Sequence, residues 1–127
     1  MLLGLTLALA TSGLTMSTDL AGSDWRPSFM SASDLPAGNQ MLVHFDPAGK
    51  ISGNGGCNQF FGAYTTSGDR IAIGPLASTR KGCPGLIAIE SAFFATLQAA
   101  KSFVQEGSTL TLYDAAGTKL AHFVRAK

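Results

Sequence analysis

Residues 55–64 read Gly-Gly-Cys-Asn-Gln-Phe-Phe-Gly-Ala-Tyr. A glycine turn, a cysteine and an aromatic strand thus fall within one short stretch. Glycines there free the backbone for a tight reversal, and Phe60, Phe61 and Tyr64 favour an extended exit from it. A second cysteine, Cys83, closes the segment Ser78-Thr79-Arg80-Lys81-Gly82-Cys83. The two segments point to a β-rich architecture with a candidate staple, and neither carries a reaction.

The chain has 127 residues, the size of one domain. Apolar residues make up 46% and charged residues only 13%. The charged share lies well below the ~25% of ordinary domains, and disordered chains are rich in charge and poor in aromatics. Eight Phe supply bulky core material. Net charge is +1 and the nine Lys and Arg are scattered. No basic stripe is available to displace counterions from a nucleic acid, so no nucleic-acid partner is expected.

Leu2 to Ala10 is an apolar run, too short for a bilayer span of ~20 residues. It fits the apolar core of a secretory signal, with Ala8-Leu9-Ala10 as a small-x-small cleavage site. The basic segment that usually precedes such a core is missing, since nothing before Asp19 is charged. A plain apolar arm or a short extra strand is the alternative. Residues 1–18 are therefore read as a signal-like segment with a linker, and 19–127 as the domain. Export to the periplasm or the exterior is expected, with no stable membrane span. No cysteine precedes Cys57 in this sequence, so a lipid-modified N-terminal cysteine is not expected.

Along the domain, 34–39 is a loop by its Pro, Gly and Asn content. Met41 to Phe45 is a strand with Met41, Val43 and Phe45 on one face, followed by an Asp46-Pro47-Ala48-Gly49 turn. A short strand near 50–53 follows. Residues 60–66 and 70–73 form a hairpin across Ser67-Gly68-Asp69. Residues 76–82 are irregular. From Leu86 to Lys101 the period becomes helical, with Ile89, Phe93, Leu97 and Ala100 on one side. Phe103-Val104 leads to a Glu-Gly turn, and Thr109 to Tyr113 alternates as a strand. In the final strand, 119–125, Leu120, Phe123 and Val124 place apolar residues on both faces, which requires a bulge or two-sided burial. One helix among six or seven short strands predicts a mainly β (α+β) fold, a curved, barrel-like antiparallel sheet with one packed helix.

In this order the blocks resemble the META domain, or HslJ-like, family. Leu20 to Trp25 is similar to its opening segment. Ile51-Ser52-Gly53-Asn54-Gly55-Gly56-Cys57-Asn58 with Phe61-Gly62 and Tyr64 is similar to its glycine-rich block. Thr79 with Cys83, then Glu90, Phe93 and Leu97, and finally Leu110, Leu112, Leu120 and Phe123 complete the match over roughly residues 19–126. Arg80-Lys81 departs from the family, where a methionine is common, at a position expected to be a loop. The resemblance implies a curved barrel with one helix and a secreted or envelope protein of unknown molecular activity. Some members are linked to heat shock, drug resistance or virulence. It implies no catalytic residue.

Each candidate site has a plain alternative. Cys57 and Cys83 are a disulfide in an exported chain, or two buried thiols in a cytosolic one. A bridged loop of ~26 residues contributes roughly 3.5 kcal/mol in the chain-entropy model. No local spacing ties His44 or His122 to a cysteine, which disfavours a catalytic thiol and a zinc site. Gly53, Gly55 and Gly56 could cradle an anion, but an aromatic strand rather than a helix follows, so a tight turn with positive φ is expected. Asn58 is expected to bond local backbone amides. Glu90 is read as a dipole-favoured residue early in the helix, and Trp25 as core. No enzyme, cofactor or metal is expected. The function expected is a monomeric stress-response or binding module with an unidentified protein partner or small ligand. A small-ligand carrier using the interior of the sheet is the alternative.

Overall fold

The computed structural model describes residues 20–126. The reading of residues 1–18 as a signal-like segment lies outside them. In chain order the strands are β1 (Ser23–Met30), β2 (Leu42–Phe45), β3 (Lys50–Asn54), β4 (Gln59–Ser67), β5 (Arg70–Ile73) and β6 (Ala77–Ser78). The helix α1 (Ile87–Ala99) follows, then β7 (Ser102–Glu106), β8 (Thr109–Tyr113) and β9 (Lys119–Arg125).

The strands form one antiparallel sheet in the order β3-β2-β1-β9-β8-β7-β5-β4, and β3 pairs with β4 to close the ring. β6 adds a short pairing to β4 at Phe60 and Phe61. The expected barrel-like sheet with one helix is therefore present, as a closed barrel of eight strands. Closure gives each of the eight strands a neighbour on both sides over at least part of its length, which limits the edge left for another chain to extend. One seam is thin. β5 and β7 meet at Arg70 and Ser102, helped by Ile71 N–H donating to Lys101 O at 3.1 Å and Phe103 N–H to Asp69 O at 2.9 Å.

Period-two alternation sends one side of each strand inward. Trp25, Phe45, Phe60, Phe103 and Phe123 are fully buried there, with Phe93 and Leu97 of α1 packed among them. Phe60 and Phe93 meet edge to face at 6.1 Å, and Phe45 and Tyr64 at 4.9 Å. Trp25 lies in the core as expected, its Nε1–H donating to Ser23 Oγ at 2.7 Å. The interior is filled by side chains rather than hollow.

Three strands go beyond the sequence reading. β1 carries Pro27, which argues against a regular strand; its register against β9 shifts between Pro27 and Phe29. β6 is two residues long, and β7 was masked by the turn that follows it. In β9 the choice between bulge and two-sided burial resolves in favour of irregularity. The β8–β9 register shifts at Leu112/Tyr113, Ala121 and Phe123 point inward, and Val124 remains 42% exposed.

Candidate functional site

The motif residues converge on the start of α1. Glu90 lies in the first turn of α1, which has no side-chain cap, and it is only 7% exposed. Its Oε2 accepts from the backbone N–H groups of Cys57 at 3.0 Å and Asn58 at 2.6 Å, and its Oε1 from Asn58 Nδ2 at 2.7 Å. A buried carboxylate is tolerated when its lone pairs are met in this way. Asn58 passes the connection on. Its Oδ1 accepts from Thr79 Oγ1 at 2.8 Å and from Lys81 N–H at 2.7 Å, and its Nδ2 also donates to Lys81 O at 3.1 Å. The Cys57–Cys83 disulfide, with Cα atoms 6.0 Å apart, bolts the same two segments together. Residues 79–83 themselves have no regular secondary structure, as expected of the loop at Arg80-Lys81.

Two expectations need correction here. Asn58 does not serve neighbouring amides; its side chain bonds Glu90, Thr79 and Lys81. Glu90 is more than a dipole-favoured residue, because its carboxylate fastens a turn 32 and 33 positions away. The glycine-rich turn does cradle an anion, and that anion is a side chain of the same chain. Gly55 is needed for room, since a Cβ there would stand 2.7 Å from Phe94 and 2.8 Å from Glu90. Gly53 is needed for strand approach, as its Cβ would meet Leu42 O at 1.9 Å. Of the remaining motif residues, Gly56 takes positive φ at the turn, Gly62 lies beneath Leu76, and Tyr64 donates its hydroxyl to Asp46 O at 2.7 Å. This assembly is a clasp, and its polar groups are spent on one another.

Beside the clasp, Arg80, Lys81 and Ser91 are exposed, and a second solvent-facing cluster lies on the outer face of β1 to β4. A groove of about 570 Å3 is lined there by Asp24, Arg26, His44, Ser52, Asn54 and Phe61, among others. That volume falls within the ~300–1,000 Å3 of small-molecule sites. The register explains the cluster. Asp24 stands opposite His44, His44 opposite Ser52 and Ser52 opposite Phe61, so one row crosses four adjacent strands. Asp24 Oδ1 is bonded to His44 Nδ1, which fixes the imidazole and leaves Nε2 for a ligand. Asn54 Oδ1 accepts from Gly56 N–H at 2.7 Å, which orients its amide. Phe61 is 50% exposed.

Carboxylate, imidazole and hydroxyl follow one another along this row, yet no hydrogen bond joins His44 to Ser52 among the described residues. The strands that carry them are paired on both sides, so their backbone amides serve the sheet. His122, on β9, is separated from β2 by β1 and is bonded to Thr111 Oγ1 at 3.0 Å. Both cysteines are in the disulfide, and among the described residues no group of three or more His, Cys, Asp or Glu is placed to hold a metal ion.

The family profile described as the META domain matches residues 18–127. The chain belongs to the META domain family. A search of curated proteins finds no match. Among solved structures, this META domain is similar to an NMR structure of a protein from Burkholderia xenovorans, with a TM-score of 0.69 at 20% identity, covering 95% of this chain and 99% of the other. A second NMR structure gives a TM-score of 0.63 at 22% identity, over 83% and 91% of the two chains. A crystal structure of a DUF4847 family protein from Bacteroides vulgatus ATCC 8482 gives 0.55 at 16% identity, over 67% and 58%. At such identities the likeness is one of fold. In this META domain the family blocks supply both the clasp, through Cys57, Asn58, Thr79 and Glu90, and much of the groove, through Asp24, Ser52, Asn54 and Phe61. The sequence raised His44 and set it aside as a thiol partner or zinc ligand; Asp24, Ser52 and Phe61 needed the strand register to be seen as its neighbours.

Proposed function

We propose that this META domain is an exported, non-enzymatic binding module that works as a monomer in a stress response and recognises its ligand through the outer groove of β1 to β4. The observation that carries the reading is the contrast between a filled interior and an open outer groove lined by both polar and apolar groups. The filled interior counts against a carrier that would hold its ligand inside the sheet. The disulfide and the apolar run at Leu2 to Ala10 support an oxidising destination. No described helix is long and apolar enough to cross a membrane. Envelope and stress roles rest on the family resemblance.

The test is an amide NMR screen of the protein against a chemically mixed fragment library. Shifts clustered at Asp24, His44, Ser52 and Phe61 are expected. Shifts confined to other surfaces, or none at all, would remove the groove from consideration.

A further inference from the structure

We infer that the outer groove recognises an uncharged, hydroxyl-rich chain, a neutral oligosaccharide laid across β1 to β4. This rests on the groove being the binding surface, and it names the chemistry of the ligand. Three features carry it.

The first is the absence of backbone recognition. Along the Asp24–His44–Ser52–Phe61 row the backbone is bonded on both sides of every strand, with Ala126 N–H donating to Asp24 O at one end and Phe61 paired with Ala77 at the other; β1 is open toward β2 only beyond Trp25, where Pro27 interrupts the ladder. An extended peptide cannot be gripped along this row by strand addition, so side chains must do the reading.

The second is charge. The lining carries Asp24 against Arg26, with His44 bonded to Asp24. Opposite charges in one groove cancel and disfavour a polyanion or polycation. What remains is a set of planar, directional donors and acceptors: the Asp24 carboxylate, the Arg26 guanidinium and the amides of Asn54, Gln40 and Gln59. Such forks match two hydroxyls on adjacent carbons, each of which donates and accepts. Two of these groups are held in place, Asp24 by His44 and Asn54 by Gly56 N–H. Fixed partners reduce the ordering cost of binding.

The third is Phe61. Half of this ring is exposed at the end of the Asp24–His44–Ser52 row. A sugar ring has a C–H-rich face as well as a hydroxyl rim, so it can cover the aromatic ring while its rim meets the polar row. A purely polar ligand would leave Phe61 uncovered, and a purely apolar one would strand the carboxylate and amides without partners.

The experiment is an amide NMR titration of the disulfide-bonded protein with two neutral hexasaccharides, cellohexaose and, separately, fully N-acetylated chitohexaose. Saturable shifts at Asp24, His44, Ser52 and Phe61 are expected with at least one of them. Phe61→Ala should weaken binding by about tenfold, the loss expected of an aromatic anchor, while Phe61→Tyr should retain it. Both substitutions are on an exposed position, so the fold is preserved. Silence with both hexasaccharides, or undiminished binding by Phe61→Ala, overturns the inference. A groove that answers to charged or peptide-like fragments and not to the hexasaccharides overturns the glycan chemistry while leaving the groove as the binding surface. Silence toward every probe overturns both.

Discussion

The carboxylate of Glu90 holds Asn58 twice, once through the backbone N–H at 2.6 Å and once through the side-chain amide at 2.7 Å. Thirty-two residues of sequence separate the two. Asn58 extends this grip to Thr79 and Lys81, so residues from three of the family blocks meet at one point.

Glu90→Ala should therefore be among the most damaging polar substitutions. It leaves buried donors at Cys57 and Asn58 without an acceptor, at a cost of about 3 kcal/mol or more. Urea melts of the purified protein give the measurement. A midpoint equal to that of the unmodified chain would mean that the clasp bears no load. A double-mutant cycle with Asn58→Ala should show strong coupling, because the two share bonds.

Alkylation without reductant should modify neither Cys57 nor Cys83 in protein recovered from its native location. Two alkylated thiols would contradict both the bridge and the oxidising compartment. Replacing both cysteines by Ser should lower stability by roughly 3.5 kcal/mol in the chain-entropy model.

On α1, Phe93 is fully buried and Phe93→Ala should cost ~3–5 kcal/mol. Lys101→Ala, at an exposed side chain just past the helix, should stay within ~0.5 kcal/mol. Gln98 is not the neutral position its helical phase implies. Its Oε1 accepts from Leu76 N–H at 2.9 Å, so Gln98→Ala should lie between the two, near ~1 kcal/mol. Equal melts for all three variants would show the face to be misassigned.

Much of this fold was legible because alternation and helical period are local properties. Met41, Val43 and Phe45 announced β2, and Ile89, Phe93 and Leu97 announced α1. β1 was hidden by Pro27 and by its polar outer residues, which signal a loop when read singly. The clasp was half legible. The residues stood out, but the partners of Asn58 and Glu90 are set by how the chain folds back, and no local rule reports that. The groove was least legible, because a cross-strand row depends on register between segments far apart in sequence.

No turnover is expected from the Asp24–His44–Ser52 row. A screen of ester, peptide and glycoside substrates, run beside Ser52→Ala and His44→Ala, checks this. Hydrolysis that disappears in both variants would make the row a nucleophile relay and end the non-enzymatic reading.

The thin meeting of β5 and β7 has a mechanical consequence. A ring is only as closed as its weakest join, and here one side of that join is a short hairpin strand and the other follows directly on the helix. Thermal opening should begin at this join, exposing Ile71 and Phe103 before any other inward residues, as native-state hydrogen exchange would report. The disulfide and Glu90 pin the far end of the intervening segment at Cys83 and the first turn of α1. The barrel should then part like a clamshell, with a latch at the start of the helix and a parting line at its end, and of the four strands that carry the groove only β4 adjoins a strand on that line, through Tyr64–Ser67 rather than through Phe61.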